Sequence, residues 1–179
     1  MIYYNSRYLS HKLQINLAKW KRWVREFLPP DPLGGMQSGV TRQFNTKDAF
    51  KVYLGGYLVG TLKFTIPDAS IIIADLSPWL KTHGFFQIHA RLPLNGANHM
   101  PRYYLFLYPR PGQSFLCNIR TMMSSEMIDA QNHIVQETFS QTQCGKSSND
   151  ADGSGLMCGF MIALTTLYTA FLKKIVPTK

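Results

Sequence analysis

INLAKWKRWVREFL, residues 15–28, runs straight into Pro29 and Pro30. At 100° per residue, Leu17, Trp20, Val24, Phe27 and Leu28 fall on one side. Ala18, Lys19, Arg22, Arg25 and Glu26 fall opposite, with Lys21 on the flank. The pattern predicts a helix of about three turns with one apolar and one basic face. Asn16 is placed to cap it, its side-chain oxygen accepting from a backbone N–H of the first turn, and Pro29 ends it because proline has no donor. A solvated surface helix would show the same spacing, so its neighbours decide its use.

Upstream, NSRYLSHKL (5–13) reads as a shorter helix with Tyr8, Leu9 and Leu13 inward, and Gln14, Ile15 and Asn16 connect the two. Two short helices joined by so tight a turn are the helix-turn-helix arrangement, whose second helix enters the major groove of DNA. Downstream, PPDPLGGMQSGVTRQF is a Pro- and Gly-rich loop or hairpin tip that becomes extended over residues 40–44. A third helix is expected with Asn45 as cap, Asp48 in its first turn, and Ala49, Val52, Tyr53 and Leu54 before Gly55 and Gly56. FTIPDASIIIADLSPWL predicts a fourth, with Pro67 in its first turn and Ala69, Ile72, Ile73, Leu76 and Leu80 as the buried stripe. Pro78 is expected to distort or end it.

This succession resembles the MerR-like winged helix-turn-helix family over about residues 5–81. The residues that carry the resemblance are W-x-x-x-F-L-P-P at the end of the second helix and SGVTRQFNTKDA (38–49), similar to that family's wing-to-helix signature S-G-Y-R-x-Y-s-x-x-D. It implies that the second helix and the wing contact DNA, which carries over to Asn16, Lys19, Lys21, Arg22 and Arg25 on the helix and to Ser38, Thr41 and Arg42 on the wing (36–44). The chain departs from the family where a long dimerising helix and often a cysteine-lined metal site would follow. Here Pro78, Gly84 and aromatic runs appear instead, so metal sensing is not implied.

Charge points the same way. The chain of 179 residues carries a net +9, of which residues 1–47 hold +6 and the remaining 132 residues +3. Such asymmetry implies a polyanionic partner for the N-terminal part. A hydrophobic fraction of 45% with 16% charged residues excludes disorder over most of the length. Cys117, Cys144 and Cys158 are odd in number and lack metal-ligand spacing, as do the five scattered histidines, so no metal and no cofactor are expected. Cys117 and Cys158 sit in apolar runs and read as core thiols.

The second half changes character. FFQIHARL (85–92), RYYLFLYP (102–109) and SFLCNIRTM (114–122) read as strands of an antiparallel sheet. Residues 127–143 fit helix or strand, with strand favoured for their second half, and 146–155 form a polar turn. LMCGFMIAL (156–164) suits a buried strand, after which Thr165 or Thr166 is expected to cap a last helix with Leu167, Tyr168, Phe171, Leu172 and Ile175 on one face. The alternative for this end is a membrane anchor, since residues 156–172 are uncharged, but they fall short of the roughly 20 apolar residues a span needs.

The fold expected is therefore α+β: a winged helix-turn-helix domain at 1–82 and a small antiparallel-sheet domain with a C-terminal helix at 83–179. No P-loop or nucleophile elbow is present, and Glu126, Asp129 and Glu137 read as surface carboxylates, so no catalytic residue is expected. The sequence favours a cytoplasmic, nucleoid-associated, sequence-specific double-stranded DNA-binding protein, a homodimeric transcriptional regulator. Residues 83–179 would dimerise, bind a protein partner or sense a small ligand. An excisionase-like architectural protein and a membrane-anchored scaffold are the competing functions.

Overall fold

The computed structural model describes residues 3–31, 41–86, 102–110, 113–129, 132–144 and 159–176. Ser38 and the rest of residues 32–40, the expected strand over 87–92, the expected turn over 146–155, and Cys158 lie outside the described residues. The chain divides into two compact units, residues 1–90 with 170–179, and residues 91–169.

In the first unit, strand β1 (Tyr4–Asn5) leads into helix α1 (Ser6–Leu13), then α2 (Leu17–Phe27), β2 (Gln43–Phe44), α3 (Thr46–Gly60) and α4 (Ile66–Thr82). Each helix starts on a side-chain cap. Asn5 accepts from the Tyr8 N–H, Asn16 from those of Ala18 and Lys19, Asn45 from that of Asp48, and Thr65 from that of Asp68. The α1–α2 turn is made by Gln14 in the left-handed region (φ 58°), with the Ile15 N–H reaching back to the Ser10 carbonyl at 2.9 Å. The core gathers Leu9, Trp20, Phe44, Phe50, Leu54, Ile72, Leu76 and Leu80, all fully buried. The stripe expected on α4 is the one found, Ala69, Ile72, Ile73, Leu76 and Leu80.

The structure departs from the local reading at four places. Helix α3 does not stop at Gly55 and Gly56 but continues to Gly60, because both glycines are contact points. A Cβ on Gly56 would stand 2.2 Å from the Trp23 ring, and one on Gly55 2.5 Å from the Phe27 ring. Trp23, outside the apolar face read from spacing, is therefore buried, and Leu17 is only half-buried. Pro78 sits inside α4 without ending it, and the Ser77 hydroxyl donates to the Ile73 carbonyl at 2.6 Å within that turn. Phe85 and Phe86 lie in the turn after α4, with Phe85 buried, and do not begin a strand.

The second unit is an antiparallel sheet in the order β5-β4-β3-β6, built from β3 (Arg102–Arg110), β4 (Gln113–Asp129), β5 (Asn132–Cys144) and β6 (Phe160–Ala163). The β4–β5 ladder runs from Cys117 opposite Cys144 to Asp129 opposite Asn132, so β4 extends well past residue 122 and the ambiguous segment is strand. Leu105, Leu107, Cys117, Ile119 and Ile162 are buried. Helix α5 (Leu164–Ile175) begins before Thr165, so neither threonine caps it. The Thr165 hydroxyl is buried and accepts the Tyr103 N–H at 2.9 Å.

The last turns of α5 belong to the first unit. Phe171 packs at a tilt against Phe50 and Tyr53, each at 5.3 Å between ring centroids, and the Tyr8 hydroxyl donates to the Ile175 carbonyl at 2.8 Å. Fold class is α+β, with five helices and two antiparallel sheets among the described residues.

Candidate nucleic-acid interface

The site begins with a two-residue ladder. Tyr4 pairs with Phe44 and Asn5 with Gln43, which ties the start of the chain to the base of the wing. Phe44, 1% exposed, meets Trp20 edge-on with centroids 6.1 Å apart and planes at 77°, so the same residue fixes the wing base against α2. Tyr4 stacks on Tyr8 at 5.6 Å, joining β1 to α1. Burial, then the neighbouring Tyr8 phenol, raises the Tyr4 pKa above 10.0, with the Thr46 hydroxyl acting against them.

Between α2 and β2 this scaffold leaves an open groove of about 1220 Å³. Lys21 and Arg25, one turn apart on α2, line it together with Thr41 and Arg42 beside β2 and with Asn5 and Arg7 from β1 and α1. Four cationic side chains thus share the groove with a single carboxylate, Asp31. Arg42, next to β2 in the chain, holds its guanidinium carbon 5.6 Å from the Phe44 ring centroid. Groups of one sign lining a concave surface raise the local potential and draw in a polyanion.

Of the eight residues expected to contact DNA, Lys21, Arg25, Thr41 and Arg42 come together in this groove, while Ser38 lies outside the described residues. Arg22 is exposed on α2 but does not line the groove, standing about 60° round the helix from Arg25. Lys19 is drawn to the α3 side, its ammonium 5.1 Å from the Trp23 ring centroid. Asn16 has its side-chain oxygen engaged by two backbone N–H groups, at 2.9 and 3.3 Å. Arg7 and Asn5 are additions. Arg7 counts in the sequence only as one more basic residue, because nothing local signals that β1 pairs with β2.

Neither models of protein families, nor characterised proteins, nor solved structures match this chain. Among the described residues no group of three or more His, Cys, Asp or Glu side chains is placed to hold a metal ion. No helix among them is long and apolar enough to cross a membrane. The arrangement gathers four cationic side chains in one groove beside the exposed face of α2.

Proposed function

We propose that this protein binds double-stranded DNA in a sequence-specific manner and acts as a transcriptional regulator. The exposed face of α2 would enter the major groove, with Arg22 reading base edges, while the groove between α2 and β2 receives the sugar-phosphate backbone. The observation that carries this reading is the convergence of Arg7, Lys21, Arg25 and Arg42 from α1, α2 and the wing base on one groove beside that face. Four phosphate contacts correspond to a slope of log K on log salt of about −3 to −4. One such domain covers little DNA, so two copies paired through the residues that follow α4 would read a palindromic site.

Arg22 and Arg42 separate the two roles. A bidentate arginine–guanine pair discriminates by about 1–3 kcal/mol, so Arg22→Ala should lose preference for a selected site more than total affinity. Arg42→Ala should weaken binding to selected and scrambled duplexes alike and reduce the salt slope by about one. Both variants are titrated on both duplexes at several salt concentrations. If neither substitution changes binding to either duplex, α2 is an ordinary solvated helix and the DNA reading is wrong.

A further inference from the structure

The sheet of the second unit has two unlike faces. Alternation along β3 sends Leu105 and Leu107 to one side, with Cys117, Ile119 and Ile162 opposite them, all buried. Tyr104, Phe106 and Tyr108 go to the other and are half-buried. Beside these rings the register sets Arg120 and Ala163 opposite Tyr104, and Asn118 and Met161 opposite Phe106, with Met161 60% exposed. The rings of Phe106 and Tyr108 are nearly parallel, at 13°, with centroids 6.3 Å apart. Tyr108 lies against bare backbone, since a Cβ on Gly159 would stand 2.7 Å from its ring. The Arg120 guanidinium carbon is 4.6 Å from the Phe106 ring centroid, and its Nε–H donates to the Gln141 side-chain oxygen at 2.9 Å.

From this face we infer a second binding site, for single-stranded nucleic acid. Rings in sequence on a strand offer π-faces to unstacked bases, and stacking tolerates any base because each has a π-face. A planar guanidinium held over a ring extends that platform and brings positive charge to it. Charge complementarity selects this occupant over a protein surface: Arg102 and Arg120 share the face, and no carboxylate stands at the register positions opposite Arg102, Tyr104, Phe106 or Tyr108. The site is built from residues remote in sequence from the α2 groove and stands independently of the duplex reading.

The test uses the full chain with labelled oligothymidine and oligouridine of about twelve nucleotides, within the usual site size of such platforms. Wild type should bind the single strand, and comparing the two oligomers tells DNA from RNA. Phe106→Leu and Tyr104→Leu should each weaken binding roughly five- to a hundredfold, the factor for losing one stacked ring, while Phe106→Trp, which keeps a ring, restores it. Arg42→Ala should leave unchanged the ring-dependent part of oligomer binding, read as the ratio of wild-type to Phe106→Leu affinity. Thermal melts identify any leucine variant that does not fold, and Arg120→Gln, which should weaken binding and its salt dependence, then carries the test. The inference is overturned if wild type binds neither oligomer, or if folded ring variants bind as wild type. It is equally overturned if Arg42→Ala removes the binding, which would put the strand in the α2 groove. A change in sedimentation on Phe106→Leu without a change in oligomer affinity makes the face a protein interface and also overturns it.

Discussion

Gln14 holds the α1–α2 turn at φ 58°, a conformation in which its Cβ crowds the following carbonyl. Glycine has no such penalty, though it gives up more freedom on folding, so Gln14→Gly should raise stability by about 0.5–1 kcal/mol in urea denaturation. An unchanged or lower midpoint would mean that the glutamine side chain contributes to the turn. Tyr4 makes a second prediction, in pH. Burial and Tyr8 raise its pKa above 10.0, so the folded protein holds this proton more tightly than the unfolded chain. The resulting stability is complete below pH 10 and is lost as pH rises from there through the folded value. Tyr4→Phe has no proton to lose, and its stability should fall less steeply above pH 10 than that of wild type. Arg22 shows what spacing can and cannot give at this scale: its exposure was legible, whereas the absence of Arg22 from the groove depends on where β2 lies.

The helices were legible because each announces its own start. Asn16 and Asn45 are caps in the sequence and caps in the structure, Pro67 marks the start of α4, and the apolar stripe of α4 needs only its own spacing. Their ends were harder, since Gly55, Gly56 and Pro78 are breakers by local chemistry. In α3 the bare backbone lets the Trp23 and Phe27 rings approach, and that contact outweighs the propensity lost. Gly56→Ala should therefore destabilise by about 1–3 kcal/mol by overpacking, although alanine is the better helix former. Chemical denaturation measures the sign, and a stabilised variant would show that Trp23 moves aside at little cost. Strand length was the weakest reading, because Ser124, Ser125 and Glu126 carry no alternation and β4 continues only where β5 supplies its hydrogen bonds.

The two units do not follow the order of the chain. Residues 170–179 return to the first unit, where Phe171 lies between Phe50 and Tyr53. A fragment ending after Leu80 lacks this ring and the Tyr8 to Ile175 hydrogen bond. Phe171→Ala in the full chain should cost about 3–5 kcal/mol, as for other buried rings. The fragment should melt lower than the first unit does within the whole protein. A fragment as stable as the intact unit would show that the C-terminal turns contribute little. By itself the sequence determined the α+β class, the caps of α2 and α3, the starts of α2, α3 and α4, the stripe of α4, and a basic N-terminal part, because each follows from residues a few places apart. Tertiary structure alone decided that Arg7 joins Arg25 and Arg42, that Trp23 packs on Gly56, and that Phe171 completes the first core. Those contacts join residues between about 20 and 120 positions apart, and local spacing holds no record of loop closures on that scale.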